Sequence, residues 1–311
     1  MLKYCLKRIG IAIVTILAII IILFFLLKLM PGSPFNNERL SEDQVAVLNE
    51  KYGLDKSIPE QILVYIKNML TGDFGVSYSI QQNYPVSKLI GSRYPTTIRI
   101  GLQAYVLGVL LGLVLGIISA LKHNSVIDTT TTIFAMIGSS VPSHVLALAF
   151  VYFLAYKLGW FPLTYDSQSS FISSVLPTLA LAISPMAMTA RFTRNEMIDV
   201  MSSEYILLAQ TKGMGRIRII VLHGLKNTMV SLITTLGPMV MGLLTGSTVA
   251  EQIFAIPGIG SLFIKAIQTN DYNVVISLAF IFSVMYIGII LLIDILYGII
   301  DPRIRLSGGK K

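Results

Sequence analysis

A chain of 311 residues that is 54% hydrophobic and only 13% charged is not built for water, because soluble domains carry about 25% charged residues. One cysteine, Cys5, and three scattered histidines, His123, His144 and His223, exclude a disulfide framework and a zinc cluster. The formal net charge of +8 would suit a nucleic acid, but the placement of the basic residues gives it another meaning, that of orientation in a membrane.

A hydrocarbon core about 30 Å thick needs roughly 20 apolar residues as helix, and six segments meet or approach that length. The first runs near Ile9–Met30, behind Lys3, Lys7 and Arg8. It is followed by Lys28-Leu29-Met30-Pro31-Gly32, with no small-x-small cleavage pattern, so it reads as a retained span. Between 31 and 97 lies a long loop with two short helices of its own. Ser41-Glu42-Asp43-Gln44 has capping-box spacing ahead of Val45, Val47 and Leu48, with Gly53 as its stop. Pro59 opens the other, from Glu60 to Leu70, ending near Gly72. Both are too short to cross a bilayer and suit a surface over the outer mouth, for a partner or a gate.

The second span is predicted near Ile98–Leu121. It carries Gly108, Gly112 and Gly116 on one face, a stripe that lets helix backbones approach closely or forms a moving seam. The third, near Thr130–Tyr156, holds Pro142 and His144, which mark a kink and are candidates for the pathway. The fourth, Val175–Ala190, and the fifth, Met229–Val249, are interrupted by Pro177, Pro185 and Gly237-Pro238, breaks that neighbouring helices can tolerate. The sixth, Val274–Ile300, contains Asp294. An ionisable group there is costly and faces the bundle interior, either as a structural pair near the inner interface or in the pathway or gate.

With both termini inside, the short inner segments hold Lys3, Lys7, Arg8, Lys122, Arg191, Arg194, Lys212, Arg216, Arg218, Lys226, Arg303, Arg305, Lys310 and Lys311. That bias fits the positive-inside rule, with Arg191 and Arg194 anchoring span four at the inner surface. The expected organisation is 1–30 as the inner end and first span and 31–97 as the outer loop. A membrane-spanning helical region covers 98–300 with an inner link at 191–228, and 301–311 forms a tail.

Catalytic motifs are missing. No stretch fits G-x-x-x-x-G-K-[ST], so the chain cannot cradle a nucleotide in the P-loop manner, and neither G-x-S-x-G nor H-E-x-x-H occurs. No internal repeat of 20–50 residues is visible. The inner link instead holds Ser203-Glu204-Tyr205-Ile206-Leu207-Leu208-Ala209-Gln210-Thr211-Lys212-Gly213. Ser203 can accept from the first free amides, Glu204 lies at the positive end of the dipole and Lys212 at the negative end. Gly213 can take the left-handed stop conformation. Such a sharply bounded helix is either an amphipathic connector or a docking element.

That helix, continuing through Ile220-Val221-Leu222-His223-Gly224-Leu225-Lys226-Asn227, resembles the EAA loop of ATP-binding-cassette importer permeases. More narrowly, the chain looks like the B-type permease subunit of the dipeptide and oligopeptide (peptide/nickel) importers. Lys51-Tyr52-Gly53-Leu54-Asp55-Lys56, Leu70-Thr71-Gly72-Asp73-Phe74-Gly75-Val76-Ser77 and Arg93-Tyr94-Pro95-Thr96-Thr97 agree with that. So do Ile256-Pro257-Gly258-Ile259-Gly260 with Asp271-Tyr272, and Asp301-Pro302-Arg303-Ile304-Arg305. The EAA loop departs from the family at Gln210-Thr211, where arginine and alanine are usual, and at Ser231, where proline is common; Ile290 stands where asparagine often precedes Asp294.

The resemblance implies an all-α integral membrane protein with six transmembrane helices, the type I importer permease fold and a structured extracellular loop. Its implied partners are a second homologous permease subunit, two cytoplasmic ATPase subunits that bind the ATP, and an extracellular substrate-binding lipoprotein. No cofactor of its own and no catalysis are implied. ATPase coupling would fall to Ser203, Glu204, Tyr205, Ala209, Lys212, Gly213, His223 and Asn227; His223 reads as a packing histidine or a proton sensor. The cargo would be short peptides, or alternatively nickel, a metal chelate or glutathione. An ion-coupled secondary transporter using Asp294 and His144, or a membrane scaffold, are rivals. The first should show inverted repeats, and the second has no need of the Gly213-terminated helix.

Overall fold

The computed structural model describes residues 2–29, 56–245 and 247–300. The expected capping box at Ser41–Gln44, the stop at Gly53 and the tail from Asp301 lie outside them. All six predicted segments are helical, with informative differences at their ends. The first is α1, Leu2–Leu29. The short loop helix is α2, Ile58–Thr71. The Glu60 carboxylate accepts from the Ser57 backbone N–H (3.3 Å) and hydroxyl (2.9 Å), and Gly72 closes the helix at φ +75°. Burial pushes the Tyr65 hydroxyl of α2 to a higher pKa. A two-stranded antiparallel ladder follows, β1 (Val76–Ser77) and β2 (Tyr84–Pro85), which an all-helical expectation did not include.

The second segment is α3, Val86–Leu121, which starts well before Ile98 and runs through Pro95. The third divides. α4 (Val126–Ser140) and α5 (Ser143–Phe150, extended by a π-helical turn Val151–Lys157) meet at 98°, far sharper than a kink. Val141 precedes a proline and is driven out of the helical region to φ −79°, ψ 123°, which breaks the helix there. The fourth segment is α6, Ser170–Met201, unbroken through Pro177 and Pro185. The fifth is α9, Lys226–Leu244, followed by the separate short α10, Thr248–Ile253. α7 (Glu204–Thr211) and α8 (Arg216–Ile219, continued by a π-helical turn Ile220–Leu225) form the link before it. Last come α11, Ile259–Gln268, and α12, Tyr272–Ile300. Among the described residues α1, α3, α6 and α12 are long and apolar enough to cross a membrane, and the bent pair α4–α5 would make a fifth crossing.

The chain separates into two compact units, with boundaries inside α3 after Pro95, between α10 and α11 after Pro257, and inside α12 after Leu291. In the first unit, Val86, Leu89 and Ile90 pack with Ile259, Leu262, Val274 and Leu278, while Ile20 and Met69 pack with Ile276 and Phe280. Asp271 fastens this unit. One of its buried carboxylate oxygens accepts from the Ser77 hydroxyl (2.5 Å) and from the amides of Tyr78, Ser79 and Ile80 at 3.0–3.1 Å. Successive amides converging on one anion form a nest.

In the second unit α6 is the central helix, flanked by α4, α5 and α9. The glycine stripe packs against it. A Cβ at Gly108 would lie 2.6 Å from the Ala182 carbonyl, at Gly112 2.5 Å from that of Met186, and at Gly116 2.6 Å from that of Ala190. Equal steps of four on both helices make α3 and α6 parallel, in close backbone contact of the small-residue kind. α4 runs the opposite way, since Asp128 meets Arg194 while Gly138 meets Ile183 and Ala187.

Candidate coupling site

α7 is short, and what fixes it is its ends. At its C-terminus Gly213 sits at φ +75°; its N–H donates to the Gln210 carbonyl (2.9 Å) and the Met214 N–H to that of Ala209 (3.2 Å). This is a complete Schellman stop, and it requires a residue that accepts positive φ. Met214 then packs beside buried Ile206, Ala209 and Ile219, with Met201 closing the cluster. At the N-terminus the expectation for Ser203 fails. Its hydroxyl donates to the Val200 carbonyl (2.6 Å) and does not cap the amides of α7. The reason is local: α6 ends only two residues earlier, and its last carbonyls need donors. Glu204 occupies the first helical position, exposed and without an ion pair among the described residues, at the positive end of the helix dipole. Lys212 is the C-cap residue at the opposite end.

With Ile206 and Ala209 turned inward, Tyr205, Leu207 and Leu208 are left exposed. Beyond the glycine, Ile217 (79% exposed), Val221 and Leu222 line an open cleft with Arg216 and Arg218. These side chains form one exposed apolar surface with a basic rim. Asn227 ties it to the bundle: its Nδ2 donates to the Tyr205 hydroxyl (3.2 Å) and to the His223 carbonyl (2.8 Å). Gly224 packs on Met197 and Met201 of α6. His223 is half-buried in the π-helical turn. Ser203, Glu204, Tyr205, Ala209, Lys212, Gly213, His223 and Asn227 therefore belong to one local assembly.

The other candidates are elsewhere. Pro142 and His144 are exposed at the α4–α5 bend, and the Asp294 side chain lies outside the described residues. Arg194 is not a free surface anchor. It forms a bidentate pair with Asp128 of α4 (2.5 and 2.8 Å), and Asp128, 3% exposed, also accepts from the Ser119 hydroxyl and the Asn124 amide. A second buried carboxylate, Glu251 of α10, accepts from the Thr97 hydroxyl at 2.7 Å. Sequence reasoning missed both. Ser125-x-x-Asp128 ahead of an apolar run was the one available signal, a helix start that the predicted span at Thr130 overlooked.

Solved structures place this architecture. The fold matches a chain of the MetNI methionine ABC transporter in inward-facing conformations (TM-score 0.56, 15% identity, covering 68% of this chain and 96% of that one). It also matches a chain of an amino acid ABC transporter crystallised with histidines (TM-score 0.54, 18% identity, 68% and 94%). The protein thus has the fold of a type I ABC importer permease.

Residues 112–306 match the family described as the binding-protein-dependent transport system inner membrane component, and residues 1–101 match its N-terminal membrane component. The chain belongs to this family, as a multi-pass inner-membrane subunit of an ABC importer system with other subunits. Its sequence is 40% identical over 306 residues to the dipeptide transport system permease protein DppB of Lactococcus lactis subsp. cremoris, covering 98% of this chain and all of that one. It is 40% identical to DppB of Bacillus subtilis (98% and 99%) and 38% identical to the oligopeptide transport system permease protein OppB of Haemophilus influenzae (98% and 100%).

Proposed function

We propose that this chain is a transmembrane permease subunit of an ATP-driven importer of di- or oligopeptides, working by alternating access. The observation that carries the reading is the Schellman-stopped helix α7, with an apolar face turned away from its own bundle. In this reading the face Tyr205, Leu207 and Leu208, with Glu204 and Lys212 at its ends, seats in a groove of a cytoplasmic ATPase subunit. Two such ATPases bind and hydrolyse the ATP, so the permease holds no nucleotide or other cofactor and performs no catalysis. A second homologous permease completes the membrane part, and an extracellular binding lipoprotein delivers the peptide to the side that carries α2 and the β1–β2 ladder. Both termini are cytoplasmic in this reading, which the basic inner segments support. Motion at α7 would pass to α6 through Met201, which packs with Ile206 and Ala209, and to α9 through Asn227. Packed elements of this kind switch between discrete arrangements. Pro142, His144 and Asp294 remain proposed pathway or gating positions.

The test is uptake by the reconstituted complex of permeases, ATPases and binding protein, with candidate peptides, glutathione and nickel chelates as cargo. Peptide uptake that needs both ATP and binding protein is expected. Uptake that persists without the ATPases, driven by an ion gradient, would refute the reading.

A further inference from the structure

Between α4 and α6 lies a cleft of about 260 Å³ that nothing in the coupling mechanism uses. It is lined by Thr131, Thr132, Ala135 and Met136 of α4 and by Ala190, Arg191, Arg194 and Asn195 of α6. Because the two helices are antiparallel, these residues sort by depth. Thr131 and Thr132 stand level with Arg191, Arg194 and Asn195 at the end of the bundle carrying the Asp128–Arg194 pair. Ala135 and Met136 lie about a turn deeper than Thr131 and Thr132, and Ala190 about a turn deeper than Arg194, next to the exposed Phe134 and Ile137. One opening is thus cationic and hydroxyl-rich, and the other is apolar.

The charge there is specific. Arg194 is neutralised by Asp128, and its remaining nitrogen donates to Asn195. Arg191 is exposed, has no ion pair among the described residues and lies over the Phe192 ring at 5.8 Å. The cleft therefore carries one uncompensated positive charge, beside two threonine hydroxyls that have no hydrogen bond among the described residues. A single phosphodiester is its complement in charge and acceptor geometry. The apolar depth below suits an acyl chain rather than water.

We propose that this cleft binds the headgroup of an anionic phospholipid, with the phosphodiester on Arg191 and the Thr131 and Thr132 hydroxyls. Its acyl chain lies along Ala135, Met136 and Ala190. The proposal rests on α4 and α6 lying in the bilayer and is independent of the cargo.

The assembled importer, purified from vesicles of mixed phosphatidylglycerol and phosphatidylcholine, tests it by native mass spectrometry of retained lipid. Phosphatidylglycerol should be retained preferentially. Arg191→Gln should lower that retention about five-fold, the size of one interfacial arginine contact, while Arg191→Lys keeps part of it. Thr132→Val should weaken it independently, with the thermal unfolding of each variant unchanged. Equal retention of both lipids, or retention untouched by Arg191→Gln and Thr132→Val, would overturn the proposal. So would displacement by inorganic phosphate, which would make this a free-anion site, or protection of the cleft by the second permease in the assembled complex.

Discussion

Replacing Gly213 isolates the backbone contribution to α7, the proposed coupling helix, from every other. A Cβ built there meets nothing within 4 Å, so no clash contributes. What remains is φ +75°, a left-handed conformation that costs an L-residue about 1–2 kcal/mol and a β-branched residue more. A cost of that size shifts the equilibrium between the stopped and unstopped helix about 5–30-fold. Asparagine tolerates the left-handed region and should cost little. The expected order of coupling is therefore wild type, then Gly213→Asn, then Gly213→Ala, with Gly213→Val last. Val should lose the two bonds that close α7, from the amides of Gly213 and Met214. The assay is ATP hydrolysis stimulated by loaded binding protein in lipid nanodiscs, alongside the amount of each variant inserted in membranes. Insertion should stay level across the series while stimulation falls. If Val and Asn behaved alike, or if stimulation and insertion fell together, the mechanical role of the glycine stop would be refuted.

The glycine stripe offers a matched pair: Gly112→Ala forces a Cβ to 2.5 Å from the Met186 carbonyl, whereas Gly242→Ala meets nothing. The first should lose about 1–3 kcal/mol and lower the thermal unfolding temperature in detergent, and the second should not. Arg194→Ala leaves buried Asp128 without its counter-charge and should cost about 3–5 kcal/mol; adding Asp128→Asn should recover part of the lost unfolding temperature. Asp271→Ala removes the acceptor shared by three amides, at about 1–3 kcal/mol for each one left unsatisfied. Limited proteolysis should then cut the 76–85 segment faster than in wild type.

The parts of the fold readable in advance are those fixed by neighbours in sequence. Apolar runs gave the spans, Pro59 and Gly72 framed α2, and the residues around Gly213 specified the stop of α7. Local chemistry also misled where two helices compete for one residue, as at Ser203, which serves the end of α6. What stayed hidden depends on distant partners. Arg194 lies 66 residues from Asp128 and Asp271 lies 194 from Ser77; composition alone cannot say which charge meets which donor. The same pairing explains why α6 continues through Arg191 and Arg194, where the sequence suggested a loop. The 98° bend was half legible: Pro142 announces a break, but its angle is set by packing against α6.

The joint between α6 and α7 is only Ser202 and Ser203, and both are clamped. Their hydroxyls donate to the carbonyls of Asp199 and Val200 and their amides to those of Ile198 and Val200. Such a hinge has almost no slack. A 32-residue rod of this kind is roughly 48 Å long. A tilt of about 5° imposed at one tip would carry the other through about 4 Å, the distance that separates touching side chains from parted ones. In the proposed mechanism, a small thrust at the foot would reach the far rim as an open-or-shut difference.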